Sequence, residues 1–181
     1  MNVRIIAGRF GGRIIDAPDT SNTRTKPMGE RIRNAMFNSI GTEIAGAMVL
    51  DAFAGTGAVG LEALSRGAAQ AVFVERDRIA QKILAANIAS LGAADQAQVV
   101  RTTVLNWFDT YDGEQFDLIF ADPPYHDPQF STVSRLFSLL KPNGLMVLSH
   151  VGRSEVPTKT GVVVVDNRSY GNAHLTFYRR E

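Results

Sequence analysis

The chain of 181 residues carries 19 Lys and Arg against 18 Asp and Glu, no cysteine, and 45% hydrophobic residues. That length fits one compact domain able to bury roughly 70% of its unfolded surface. The lack of cysteine excludes disulfides and thiolate metal sites and points to a reducing compartment. With no signal-peptide stretch and no run of about 18 apolar residues, the sequence predicts a soluble cytoplasmic protein.

Charge is uneven along the chain. Residues 1–36 hold seven basic side chains against three acidic ones, and the rest of the chain is slightly acidic. A basic arm on a near-neutral body suggests a nucleic-acid partner. The arm, residues 1–28, opens with two short predicted strands, Val3–Ala7 and Arg13–Asp16, turned by Gly8, Gly11 and Gly12. A polar loop follows over 17–28. The remaining residues, 29–181, form the predicted body. It begins with a helix whose apolar positions are Ile32, Ala35, Met36 and Ile40, stopped by Gly41.

From residue 47 strands and helices alternate. Predicted strands are 47–53, 71–75, 97–103, 116–121 and 145–149. A helix from 60 ends at Gly67, another spans Ile79–Leu91 behind the cap Asp77, and a short one lies near Leu105–Phe108. A further helix starts on the Asp127-Pro128 pair and runs to Leu140. Two last strands, 161–166 and 173–180, are joined by the loop Asn167–Asn172, too short for a crossover, so they pair antiparallel. The alternation predicts a doubly wound α/β sheet with its ligands at the carboxyl ends of the strands.

Two segments at those ends carry the chemistry. The first is Asp51-Ala52-Phe53-Ala54-Gly55-Thr56-Gly57, with Gly60 beyond it. Its glycines allow a tight turn and close ligand approach, and Glu75 sits where a carboxylate can grip both hydroxyls of a ribose. The run also matches the nicotinamide-dinucleotide fingerprint. Asp51 separates the two readings: an anion here repels a pyrophosphate and suits the ammonium and sulfonium of S-adenosylmethionine. Asp51 can equally serve as a plain hydrogen-bond acceptor at the helix entry, and Phe53 as core. Arg76 follows Glu75, and Thr103 and Val104 follow the third core strand, where an adenine ring would lie; Thr103 also suits a helix cap.

The second segment is Asp122-Pro123-Pro124-Tyr125. Paired prolines fix the backbone and remove N–H donors. The Asp122 carboxylate, which also borders the cofactor, and the Pro123 carbonyl can together accept both hydrogens of an exocyclic amine, and Tyr125 can stack on a base drawn out of its helix. A rigid strand exit is the plainer use of such a segment. His126, His150 and His174 are too scattered for a metal site. Trp107 reads as packing and His126 as an exposed loop residue.

With these residues in view, the chain resembles the bacterial 16S ribosomal RNA guanine-N2 methyltransferases. The likeness rests on Arg4-Ile-Ile-Ala-Gly8 with Gly12-Arg13, on Lys26-Pro27 with Arg31-Ile32-Arg33 and Phe37-Asn38, and on the stretches 51–67, 73–77 and 122–125. It implies a Rossmann-like class I fold with a mostly parallel seven-stranded sheet, a C-terminal antiparallel pair and a small N-terminal hairpin. S-adenosylmethionine would be the cofactor, and Asp122, Pro123, Pro124 and Tyr125 would receive a guanine amine. Arg4, Arg9, Arg13, Arg24, Lys26 and Arg31 would hold 16S rRNA within a 30S subunit or its precursor. A monomer without metal is the default. Two departures stand out: Met28 replaces a threonine, and Ser149-His150-Val151-Gly152 replaces acidic residues. The runners-up are an N6-adenine DNA methyltransferase, an NAD-binding oxidoreductase and an inactive nucleotide-binding module.

Overall fold

The computed structural model describes residues 2–19, 27–152 and 155–181. Its body is a seven-stranded sheet in the order β5-β4-β3-β6-β7-β9-β8. These strands are β3 (Met48–Asp51), β4 (Gln70–Val74), β5 (Ala97–Val100), β6 (Phe116–Ala121), β7 (Leu140–His150), β8 (Val162–Tyr170) and β9 (Ala173–Arg180). The first five run parallel, and β9 is antiparallel to both β7 and β8. The strand order reverses between β3 and β6. That reversal opens a crevice at their carboxyl ends.

Helices cover both faces. One core holds α1 (Glu30–Ile40), α2 (Ala58–Ser65) and α3 (Arg78–Ser90), with Phe37, Leu64 and Leu84 among its members. The other holds α4 (Val104–Thr110) and α5 (Phe130–Leu136), centred on Trp107, Phe116 and Phe137. All eight residues of α2 are buried. Its small residues let it lie close to the sheet: a Cβ at Gly60 would meet Phe73 Cε1 at 2.3 Å. Asp77 caps α3 and Thr103 caps α4, each side chain accepting a backbone N–H.

The N-terminal hairpin, β1 (Asn2–Arg4) and β2 (Ile14–Asp16), packs Ile5, Phe10 and Ile15 into the α1–α3 core. Its strands are shorter than predicted because the Ile6 and Ala7 amides leave the ladder and donate to Glu62 of α2, at 2.9 and 3.1 Å. Glu62 is fully buried and also accepts from Arg33 Nε at 3.3 Å and Arg66 Nε at 3.0 Å. Arg33, counted above with the basic arm, therefore lies in the core. It spends its other donors on the Met28 and Arg4 carbonyls. Burial pulls the Arg33 pKa down, and the Glu62 charge raises it back.

Other boundaries differ from expectation too, among them the strand predicted over 97–103, which stops at Val100, and the helix predicted to reach Leu140, which ends at Leu136. The helix predicted from Asp127-Pro128 begins at Phe130, behind Gln129 in the left-handed region at φ 47°. The Asp127 amide is instead turned back onto the Pro124 carbonyl at 3.0 Å. The strand predicted over 145–149 extends to Leu140–His150, paired with β6 from Phe116↔Leu140 onward. The predicted loop Asn167–Asn172 shrinks to Gly171-Asn172, because Gly171 takes φ 64° and allows Tyr170↔Ala173 to close a tight hairpin.

Removing the Glu62 carboxylate strips a buried guanidinium and two part-buried amides of an acceptor. Glu62→Ala should cost roughly 3–5 kcal/mol in urea unfolding. A loss under about 1 kcal/mol would show that the hairpin docks by other contacts.

Candidate active site at the carboxyl edge of the sheet

The loop after β3 is fixed from three directions. Gly57 closes the turn at φ 94°, and its own Cβ would strike Leu84 Cδ1 at 2.5 Å. Glu75, at the end of β4, accepts the Gly55 amide at 2.8 Å and the Asp77 amide at 2.7 Å. Asn87 of α3 donates to the Thr56 carbonyl at 2.9 Å and brackets Asp16 of the hairpin through that residue's N–H and carbonyl. Hairpin, helix and loop thus share one buried amide side chain.

Asp51 is 2% exposed and accepts the Gly60 amide at 2.9 Å through Oδ2. The helix-entry role is therefore real. Burial pushes its pKa up to about 7, opposed by the Gly60 amide and reinforced by the charges of Asp122 and Glu75. Ala52 and Ala54 are buried, Phe53 and Gly55 half-buried. Thr56 Oγ1 is a buried polar side-chain atom with no hydrogen-bond partner among the described residues.

Asp122 stands across the crevice. Burial pushes its pKa up to about 6, and the neighbouring Ser149 hydroxyl holds it down. The register accounts for that nearness: Ala121 pairs with Leu148, so Asp122 and Ser149 are the next residues on neighbouring chains. Pro123 is buried, Pro124 half-buried, and Tyr125 is 58% exposed. Pro123 and Tyr125 share a cleft with Pro128, Phe130, Ser149 and His150.

Phe130, Ser149 and His150 had no site role in the sequence reading. The signal lay in the replaced acidic stretch at the end of β7, which the sheet order sets beside Asp122. The Gly152 amide donates to His150 Nδ1 at 3.1 Å, which leaves the ring proton on Nε2, 2.8 Å from Thr176 Oγ1. The Thr176 hydroxyl in turn donates to Asn167 Oδ1 at 2.9 Å. Burial, then the neighbouring His174 ring, lowers the His150 pKa. His126 is exposed, and Trp107 is core.

The other cofactor candidates divide. Arg76 is exposed beside Glu75, Thr103 gives its hydroxyl to the α4 cap, and Val104 points into the core. Of the basic candidates, Arg4 pairs with Glu30, Arg9 lies 4.5 Å over the Phe10 ring and bonds Gln96, and Arg13 donates to the Ser90 carbonyl at 2.8 Å. Arg31 is exposed on α1. Arg24 and Lys26 fall outside the described residues. Among those residues no helix is long and apolar enough to cross a membrane, and no group of three or more acidic or histidine side chains could hold a metal ion.

Residues 3–179 match the family model described as Conserved hypothetical protein 95. Ribosomal RNA small subunit methyltransferase D of Escherichia coli is 38% identical over 142 residues, 78% of this chain and 68% of that protein. The protein of the same name from Haemophilus influenzae is 35% identical over 152 residues, 80% of this chain and 76% of its own. The solved structure of yhhF from Escherichia coli superposes with a TM-score of 0.88 at 31% identity, covering 100% of this chain and 99% of that one. These matches set aside the nicotinamide-dinucleotide reading of the glycine run. The chain is a methyltransferase of the Conserved hypothetical protein 95 family.

Proposed function

We propose that the protein methylates the exocyclic N2 amine of a guanine in 16S ribosomal RNA, with S-adenosylmethionine as donor. The observation that carries this reading is the half-buried Asp122, flanked by Pro123 and facing the glycine loop across the strand switch. The names of the two relatives above support ribosomal RNA over DNA as the carrier of the base.

The residues present fit the cofactor. Thr56 Oγ1 is an orphaned buried hydroxyl in the cradle, and Asp51 and Glu75 suit an ammonium group and a ribose. Residues 52–57, Arg76 and Thr103 would complete the enclosure, while Val104, a core residue, would support it from beneath. S-adenosylmethionine supplies an electrophilic methyl group on a sulfonium leaving group. Asp122 and the Pro123 carbonyl accept the two amine hydrogens and turn the nitrogen lone pair out of the ring plane. Tyr125 and the cleft beside it hold the flipped base. Alignment supplies most of the acceleration, and Asp122 takes the proton shed by the alkylated nitrogen. The Ser149 hydroxyl keeps that carboxylate charged and aimed. Residues 1–28 serve as the RNA-binding extension, and Arg4, Arg9, Arg13, Arg24, Lys26 and, beyond it, Arg31 are the candidate phosphate ligands. The enzyme acts as a cytoplasmic monomer on the 30S subunit or its precursor.

Asp122→Ala should lower kcat by about 100-fold or more in label transfer to 16S rRNA, while S-adenosylhomocysteine still binds as in the wild type. Near-normal turnover would remove the amine-orienting role. Because the Asp122 pKa is raised to about 6, its active carboxylate forms as pH rises. The kcat should climb through that range and then level off, and Ser149→Ala should move the midpoint upward. A profile unmoved by Ser149→Ala would contradict the pairing. Asp51 ionises near pH 7, so S-adenosylhomocysteine should bind more tightly as pH rises through that value, and Asp51→Asn should flatten the trend. A wild-type affinity independent of pH would sink the ammonium assignment.

A further inference from the structure

We propose that the solvent face of α3, together with the arginines at the ends of β4 and β5, is a phosphate-binding track for the RNA substrate. It would run from the hairpin to the cofactor edge of the site. The inference rests on the RNA reading above and deepens it, because the charge pattern of the sequence directs attention only to the N-terminal arm.

The helix turns Ala80, Leu84, Asn87 and Ile88 inward. Its exposed positions include Arg78, Lys82, Ala86 and Ser90, each four residues beyond the last and so aligned on one ridge. No acid occurs among the 13 residues of α3. Like charges one turn apart cost a helix a few tenths of a kcal/mol, so Arg78 and Lys82 gain it nothing in stability. At the upper end Arg76 and Arg101 are both exposed, and the Glu75 amide bonds the Val100 carbonyl at 3.0 Å, which brings the two strand ends together. At the lower end Arg13 reaches the Ser90 carbonyl, and Arg9 follows beside Gln96. A helix of this length spans about 20 Å, and Ala86 on the ridge leaves room for a sugar-phosphate backbone to lie close.

The two acids next to Arg76 and Arg78 in sequence are committed elsewhere. Glu75 accepts the Gly55 and Asp77 amides, and Asp77 caps α3 on the Ala80 amide. The ion pairs among the described residues engage Arg4, Arg33, Arg66, Arg135, Lys141, Arg168 and Arg179, and none engages Arg76, Arg78, Lys82 or Arg101. Four exposed cations at one edge of the sheet, without carboxylate partners, make a surface for a polyanion.

The test compares wild type, the double variant R78Q/K82Q and R135Q, whose residue pairs with Asp109 instead. Binding of transcribed 16S rRNA is titrated over a range of salt, with duplex DNA alongside. The double variant should lose roughly 1.4–1.8 from the slope of log affinity against log salt and bind RNA about tenfold more weakly. Its S-adenosylhomocysteine affinity and melting temperature should match the wild type, and KM for RNA should rise with kcat unchanged. An unaltered slope, or an equal loss in R135Q, would overturn the track while wild-type methyl transfer to RNA still stands. A loss seen only on duplex DNA would replace RNA with DNA as its ligand. Wild-type protein that neither binds nor methylates 16S rRNA would bring down the RNA reading and the track together.

Discussion

The buried carboxylate of Glu62 is the contact on which the shape of this enzyme depends. It lies in the middle of α2, where a charge would otherwise be costly, and four donors compensate it: the amides of Ile6 and Ala7 and the guanidinium groups of Arg33 and Arg66. Through these it joins the hairpin, α1 and the helix that follows the glycine loop. Ser65 extends the same seam by accepting the Phe10 amide, and Gly8 approaches so closely that a Cβ there would sit 1.9 Å from the Ser65 carbonyl. The hairpin is thus a rigid part of the wall and shares its core with the catalytic body.

Asn87 carries that rigidity to the site. It holds Asp16 of β2 and the Thr56 carbonyl with one amide group, so the hairpin and the glycine loop keep a fixed relation. Across the strand switch Asp51 and Asp122 face each other in a poorly solvated crevice, and each is pushed toward neutral pH by burial. A cationic ligand would relieve the first. Ser149 tempers the second. In the proposed reaction, the same burial would favour a positively charged donor beside Asp51 and an amine that sheds its proton beside Asp122.

Much of this was legible in the sequence. The strand and helix alternation, the caps Asp77 and Thr103, the antiparallel last pair and the placing of both motifs on strand ends all follow from local pattern. Arg33 was not legible, because a lone basic residue on a helix reads as surface until its partner 29 positions away is known. The α5 start failed because a proline-fixed turn captured the Asp127 amide that a cap would have left free. Ser149 and His150 were visible as a departure from the family pattern, yet only sheet order brings them beside Asp122. Local chemistry reveals elements and motifs; contacts between distant elements require the fold.

The central claim is that the slot formed by Asp122 and Pro123 presents a guanine amine of ribosomal RNA for methylation. Its most direct measurement is mass spectrometry of nucleosides from unmodified small subunits, their 16S rRNA and duplex DNA after incubation with the protein and labelled S-adenosylmethionine. The expected result is N2-methylguanosine in the 16S rRNA and no label in DNA. N6-methyladenine in DNA, or no transfer to any of the three, would contradict it.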